Sequence, residues 1–288
     1  MGNRPSYEER LASAKHAVEN NCPIEVKFPG IQINEAFLQH QKNLSTVQEK
    51  MPQLIDQLVT FVGGPTGGGT VVKILISIIG YSTESLERAL ILLNVDKQIA
   101  EEAHTFVNAK MKSIERQLSL LGREREPSLA IADNSCYELL VQFNDPNSYL
   151  RRYPFALAPF LATFVATYIA VTRAKYQLIR TCERQMHRED VIRNLETLSK
   201  IIEVFQDSTG KARVNYIITR PVHGSEGDYY LYDSMIDKEI YYQYNSMFTD
   251  HLLHDIHMWY EVEVKRKYTE YFAPSLKIVA EALKEIQN

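Results

Sequence analysis

The sequence predicts an all-α protein, a bundle of about seven main amphipathic helices around a central apolar helix, with extra short helices at both termini. Three observations predict this class. Residues 153–171 contain no charged, amide, histidine or glycine side chain. Most other long segments repeat apolar residues at intervals of three and four, which is the helical period. Convincing strands are few.

The apolar run YPFALAPFLATFVATYIAV has nineteen residues, and a helix of that length is about 28 Å long. The hydrocarbon core of a bilayer is about 30 Å thick. Arg151 and Arg152 precede the run, and Arg173 and Lys175 follow it. The run therefore fits a membrane span as well as the buried central helix of a soluble bundle. We interpret its resting state as the buried helix, which leaves later insertion open.

Residue size divides this helix into two halves. The small half is a helix-packing ridge of Ala158, Ala162, Ala166 and Ala170, continued by Ala174 and flanked by Thr163 and Thr167. The large half carries Phe160, Leu161, Phe164, Val165 and Tyr168. Neither half has the charged side chains of a solvent-exposed face, so the pattern predicts a helix packed against other helices on all sides.

Two prolines limit where this helix begins. Pro154 fits a first helical turn, whereas Pro159 lacks the N–H that would bond to the preceding turn. The helix therefore either kinks at Pro159 or begins there. If it begins there, only about 20 Å of uncharged helix remains, which is too short to span a bilayer alone.

The segments before the apolar run are predicted as helices with short breaks. A charged helix over residues 6–19 leads through the extended connector CPIEVKFPGIQI to a helix over residues 43–62, which Pro52 kinks or divides. The glycine-rich GGPTGGGT separates that helix from VVKILISIIGY. An amphipathic stretch over residues 83–121 follows, and a helix over residues 130–143 ends at the turn NDPNS.

After the apolar helix, an amphipathic stripe runs through residues 191–205, and TRPVHGSEGD is predicted as a loop. A long helix is expected over residues 237–271, and Pro274 is expected to start a final helix. Residues 212–219, ARVNYIIT, have the β-branched content of a strand, but we interpret them as helical.

We expect three parts in the chain. Residues 1–43 form an N-terminal extension, residues 44–272 form the bundle, and residues 273–288 form a short C-terminal helix. The 32 basic and 36 acidic residues leave a net charge of −4, which argues against nucleic acid as a partner. The three cysteines are far apart and form neither a disulfide framework nor a zinc motif.

The N-terminus has no apolar core of a secretory signal. Its first residues, MGNRPS, match the myristoylation pattern, which makes Gly2 a candidate lipidation site with Ser6 at the required position. We interpret the start as unmodified, because the pattern is short and Pro5 is an unfavourable neighbour. A single acyl chain would give only marginal membrane attachment.

Motifs for catalysis are scarce. GGPTGGGT places Gly69 where a phosphate loop needs lysine, so we interpret it as a helix break. His254, His257 and Glu261 are the only candidate metal ligands, and their spacing fits a shared helix face only in part. We interpret the histidines as interfacial, with a role as pH sensors left open. We predict no metal, no cofactor and no enzymatic activity.

Nine of the seventeen tyrosines lie between Tyr229 and Tyr271. We interpret them as packing on the bundle with their hydroxyls in water. The alternative is an aromatic belt of the kind found at lipid headgroups.

The order of these elements resembles the N-terminal helical domain of the insecticidal crystal toxins, or delta-endotoxins, over residues 44–272. Local sequences such as KQIAEEA and PFALAPFLATFVATYIAVTRAK add to the resemblance. It implies a seven-helix bundle that docks on a membrane, inserts an apolar hairpin and oligomerises into a cation-permeable pore. The two β-rich domains of those toxins have no match after Tyr271, so a protein receptor is not identified.

The resemblance implies that the hairpin joins the helix of residues 136–143 to that of residues 153–177 through a turn at residues 144–148. Its membrane-inserting residues would be Tyr153, Phe155, Leu157, Phe160, Leu161, Phe164, Val165, Tyr168 and Ile169.

We therefore expect a pore-forming helical protein whose partners are membrane lipid and further copies of itself. It would be cytoplasmic, or released without a classical signal peptide, and membrane-associated when active. The alternative is a non-enzymatic cytoplasmic interaction or structural protein, held at a membrane by a lipid on Gly2, that never inserts.

Overall fold

Helices make up most of the computed structural model, which describes residues 5–62, 69–90, 97–120, 125–178, 181–225, 228–243 and 250–287. The predicted all-α bundle with one central apolar helix is confirmed, and a small sheet accompanies it. In chain order the elements are α1 (Tyr7–Asn21), α2 (Glu35–Val62), α3 (Gly69–Ala89), α4 (Lys97–Leu120), α5 (Arg125–Asn144), α6 (Tyr149–Arg152), α7 (Pro154–Leu178), α8 (Thr181–Val214), β1 (Ile217–Pro221), β2 (Tyr229–Asp233), β3 (Lys238–Gln243) and α9 (Asp250–Gln287).

The contacts within the chain separate it into two compact units. The larger unit comprises Lys27–Phe205 and Phe272–Asn288, and the smaller unit comprises Met1–Val26 and Gln206–Tyr271. Helices α8 and α9 each contribute residues to both units. The expected division into residues 1–43, 44–272 and 273–288 stays a prediction.

In the larger unit, α7 lies at the centre. Helices α2, α3, α4 and α5 pack directly on α7, and the short α6 lies beside them. Every residue from Leu157 to Ala174 is buried. The connector before α2 is held to the end of α3, because the Gln32 N–H donates to the Ala89 carbonyl over 2.7 Å. Amphipathic helices thus enclose an apolar helix that has no face for water.

Helix α7 begins at Pro154 and runs through Pro159. The alternative in which the helix begins at Pro159 is therefore wrong. Pro154 takes the first helical position, where its missing N–H has no intrahelical partner to lose. Beside the interior proline, the Thr163 hydroxyl donates to the Pro159 carbonyl over 3.2 Å. The full length of α7 is thus available to the core.

Helix α9 continues through Pro274, so the prediction of a separate final helix that starts there is wrong. An interior proline costs about 3 kcal/mol in a helix. Burial of apolar side chains beyond the proline offsets this cost, and these are Ile278, Val279, Ala282 and Ile286. Tertiary packing therefore overrides the local signal.

The smaller unit contains an antiparallel sheet in the order β1-β2-β3, which the sequence analysis did not predict. Residues 212–219 are helical only to Val214, and their last three residues belong to β1. The expected loop at residues 219–228 begins inside that strand. The helix expected over residues 237–271 is also wrong in its first part, because residues 238–243 form β3 and α9 begins at Asp250.

Two features fix the sheet within the smaller unit. Asp237 adopts φ 52° in the turn between β2 and β3, a left-handed conformation that aspartate tolerates. The guanidinium of Arg213, near the end of α8, donates to the carboxylate of Asp233 in β2, and both side chains are buried. Neither the turn nor the ion pair changes the spacing of apolar residues along the chain. This spacing alone therefore led to helix being predicted for residues that form β1 and β3.

Candidate functional site

The candidate site is the pair α5 and α7 with the cleft beside them. The four alanines of the predicted helix-packing ridge, Ala158, Ala162, Ala166 and Ala170, are each exposed by 3% or less. Of the nine hairpin residues, Tyr153 is half-buried, and the other eight are buried: Phe155, Leu157, Phe160, Leu161, Phe164, Val165, Tyr168 and Ile169. Both halves of α7 thus face protein. Among the described residues, the stretch Pro154–Tyr176 is the one helix long and apolar enough to cross a membrane, and 94% of its apolar window is buried.

Aromatic rings connect α7 to its neighbours. Phe143 of α5 stacks on Phe164 of α7, with ring centroids 5.4 Å apart and planes inclined by 27°. The same Phe143 ring meets Phe205 of α8 edge-on at 5.6 Å. Such pairs contribute about 0.5–1.5 kcal/mol each beyond the area that they bury. Phe143 therefore links three helices of the larger unit at one point.

A buried histidine also contacts α7. The His104 ring of α4 stacks on Phe160 with centroids 4.7 Å apart. Burial lowers the pKa of His104 to about 4, although the Ala156 carbonyl acts in the opposite direction. His40 of α2 is buried as well, and burial lowers its pKa to about 4. Both rings are neutral at pH 7.

The outer face of α5 carries little charge. Ile131, Tyr137 and Val141 are exposed by 46%, 51% and 44%. Among the exposed positions from 127 to 144, all of which the structure describes, Glu138 is the one charged residue, and it pairs with Lys110 of α4. By contrast, the exposed face of α8 in the larger unit carries several charges, namely Glu189, Asp190, Arg193, Glu196, Lys200 and Glu203. Of these two helices, α5 is thus the less charged partner for α7.

The connection between α5 and α7 is longer than the predicted turn, because α6 adds a helical turn before α7 begins at Pro154. The Asp145 carboxylate accepts from the Asn147 N–H over 2.9 Å, and the Ser148 hydroxyl caps α6. Arg151 and Arg152 follow in α6. The connection therefore carries two positive charges directly before α7 begins.

Away from this connection, near the end of α7, a side-chain pair joins the two helices. Lys175 Nζ of α7 lies 2.5 Å from Asp133 Oδ2 of α5. Next to this pair, α5, α7 and α8 enclose a cleft of about 380 Å³. Its lining includes Tyr137, Tyr168, Tyr176, Asp190, Arg193 and Asn194. The cleft could not be predicted from the sequence, since its lining residues come from three separate helices.

Tyr168 forms the buried wall of this cleft. Its side chain is 3% exposed, and burial raises its pKa, while the neighbouring Thr172 and Asn194 side chains act in the opposite direction. Its hydroxyl thus stays protonated and can donate a hydrogen bond. The ring is held in place by an edge-on contact with Phe164 at 5.6 Å.

The remaining predicted sites lie elsewhere. Gly2 falls outside the described residues, while Ser6 caps α1 by accepting from the Glu9 N–H over 3.2 Å. His257 lies 3.2 Å from Glu261, and His254 is exposed. In the part of the chain that the structure describes, no three histidine, cysteine or carboxylate side chains are grouped to hold a metal. Most of the glycine-rich GGPTGGGT, residues 63–68, lies outside the described residues.

Comparison of the chain with protein-family models, curated proteins and solved structures returns no match. The resemblance to the delta-endotoxin helical domain therefore stays a prediction from the order and composition of the helices.

Proposed function

We propose that this protein is a membrane-inserting helical bundle that forms pores, and that the α5–α7 hairpin is the part that enters the bilayer. The observation that carries the proposal is the burial of a membrane-length apolar helix inside amphipathic neighbours. Its partners would be membrane lipid and further copies of the chain. The resemblance to the delta-endotoxin domain supports the same assignment.

The energetics of α7 support this proposal. The helix contacts apolar side chains in the bundle and would contact lipid chains in a bilayer, so the exchange costs little on the apolar side. Arg151 and Arg152 before the run, and Arg173 and Lys175 after it, would stay at the two membrane surfaces. The main barrier is the unpacking of α7 from its neighbours.

The outer face of α5 supports the choice of the second helix. A helix that inserts beside α7 must bring its solvent-facing residues into lipid or into a pore lining. Ile131, Tyr137 and Val141 make that transfer inexpensive for α5, because apolar and tyrosine side chains are tolerated in a bilayer and its interface. The charged outer face of α8 would oppose it.

The alternative is a helical interaction protein that keeps the bundle closed. The same burial favours it, because a helix fully enclosed by protein needs no membrane. Release of a dye from liposomes, at pH 5 and pH 7 and with or without limited proteolysis, separates the two functions. Absence of leakage under every condition would reject insertion.

A matched pair of variants sharpens this test. Val141 on α5 and Val204 on α8 are both exposed, by 44% and 38%, so aspartate at either site should leave the bundle folded. A carboxylate carried into the bilayer costs about 2.5–3.5 kcal/mol at its centre. We expect Val141→Asp to reduce the leakage rate at least tenfold and Val204→Asp to change it less than twofold. Equal rates for the two variants would remove α5 from the inserting segment.

A further inference from the structure

The cleft beside the end of α7 has no role in pore formation by itself. It lies inside the larger unit, between α5, α7 and α8, and has a volume of about 380 Å³. Pockets of this size hold small organic ligands. Three of the described residues that line the cleft are tyrosines, one from α5 and two from α7: Tyr137, Tyr168 and Tyr176.

The fixed charges that line the cleft cancel. Lys175 pairs with Asp133 over 2.5 Å, and Arg193 pairs with Asp190 over 2.8 Å. A lining with two carboxylates and two cations favours a ligand with both signs of charge over a simple anion or cation. The charge pattern therefore points to a zwitterion.

The aromatic rings identify the positive end of that zwitterion. Both carboxylates are already paired with a cation, so a primary ammonium would compete with Lys175 and Arg193 for them. A quaternary ammonium has no N–H and is held by the faces of aromatic rings and a nearby negative potential. In this cleft the three tyrosines supply the aromatic rings, and Asp133 and Asp190 supply the negative potential.

The cations identify the negative end. Arg193 uses Nη2 toward Asp190, and its side chain is 70% exposed, so further N–H donors can reach a phosphate in the cleft. Lys175 is 39% exposed and offers a second positive charge. His187 lines the same wall.

We propose that this cleft binds a phosphocholine group, with the trimethylammonium against the tyrosine rings and the phosphate at Arg193 and Lys175. Phosphocholine is the headgroup of phosphatidylcholine, and the cleft adjoins the helices proposed to enter the bilayer. As a lipid-recognition site the inference rests on the proposed function, whereas as a site for soluble phosphocholine it stands alone.

Calorimetric titration of the full chain with phosphocholine, choline and inorganic phosphate tests the site without a membrane. We expect saturable binding of phosphocholine and at least tenfold weaker binding of either fragment. Tyr137→Ala should weaken phosphocholine binding at least tenfold. Tyr81→Ala is the matched control, because Tyr81 is an exposed tyrosine on α3 of the same unit and does not line this cleft.

A second pair of variants tests the phosphate end. Arg193 and Arg88 have equally exposed side chains, at 70%, and each pairs with a carboxylate on its own helix. Arg193→Gln should weaken phosphocholine binding at least fivefold and leave choline binding unchanged, while Arg88→Gln should change neither. The absence of saturable phosphocholine binding, or equal binding by wild type and both cleft variants, would overturn the inference.

Vesicles separate the two sources of the group. Stronger binding to phosphatidylcholine vesicles than to phosphatidylethanolamine–phosphatidylglycerol vesicles, with competition by free phosphocholine, would identify the lipid headgroup. Binding of phosphocholine in solution without such a preference would identify a soluble ligand. Dye release from choline-free vesicles tests insertion independently, so failure of the cleft and failure of the proposed function give different results.

Discussion

The His104 imidazole lies stacked against the Phe160 ring, with centroids 4.7 Å apart and planes inclined by 27°. This contact joins α4 to the central helix through a side chain that can acquire a charge. His104 is 5% exposed, so a proton on its ring would be poorly solvated. Acid is therefore expected to act directly on the packing of α7.

Stability of the larger unit should fall as the pH drops from about 6.5 toward 4. Burial lowers the pKa of His104 from 6.5 to about 4, so between these values the unfolded chain binds the proton more readily than the folded chain. The contribution of His104 grows to about 3 kcal/mol at the acid end of that window, and His40, whose pKa burial lowers to about 4 as well, adds to the loss. Urea unfolding followed by circular dichroism at pH 7, 5.5 and 4.5 measures it.

The variant His104→Phe keeps a ring against Phe160 and cannot be protonated. We expect it to reduce the loss of stability in acid by about 1–3 kcal/mol relative to wild type. His254→Phe serves as the control, because His254 is exposed on α9. A wild-type stability that does not change between pH 7 and 4.5 would contradict this role of His104.

The alanine ridge should not tolerate a charge. Ala166 is 2% exposed at the middle of α7, and aspartate there would bury an unpaired carboxylate. We expect Ala166→Asp to destabilise the larger unit by more than about 3 kcal/mol. Ala130→Asp, on the exposed face of α5, should cost less than about 1 kcal/mol. Urea unfolding monitored by circular dichroism compares them, and similar losses would place α7 outside the core.

Cys136 offers a direct reporter of hairpin release. Its thiol is fully buried on α5, and burial raises its pKa well above the ordinary value, so alkylation of the folded protein should be slow. In a Cys22→Ser, Cys182→Ser background, addition of vesicles should accelerate labelling of Cys136 at least tenfold at pH 8. Mass spectrometry after a timed pulse of iodoacetamide measures the rate. A rate that vesicles leave unchanged would indicate that α5 stays packed.

The buried pair in the smaller unit should respond strongly to the loss of one partner. Asp233→Asn leaves the Arg213 charge buried without its counter-ion, which we expect to destabilise this unit by about 3–5 kcal/mol. The single tryptophan, Trp259, lies in the smaller unit, so its fluorescence reports on unfolding there. Replacing both members by Leu and Met should cost less than Asp233→Asn alone. A larger cost for the double variant would contradict the desolvation argument.

The sequence was sufficient for the central helix because composition decides its environment. A run with no polar face must be shielded from water, and its division into an alanine half and a large half indicates contacts on two sides. The start of the helix could not be predicted, because Pro159 is compatible with a kink or a beginning. The packing of α7 in the larger unit selects the longer helix.

The sheet and the cleft required information that periodicity lacks. Tyrosines such as Tyr230 and Tyr232 fit a strand or the face of a helix, and the pairing of β2 with both neighbours decides between them. The cleft unites Asp133, Lys175 and Arg193 from three helices. Only the packing angles of those helices bring the three residues together, and no spacing along the chain encodes such angles.

Helices α5 and α7 are joined at two places, by the covalent connection through α6 and by the Asp133–Lys175 pair near the end of α7. Two helices joined in this way would leave the bundle together. The charges of Asp133 and Lys175 neutralise each other, so the pair would present a dipole to the headgroups without adding net charge. Departure of the two helices would then be a single cooperative event, with one barrier for both.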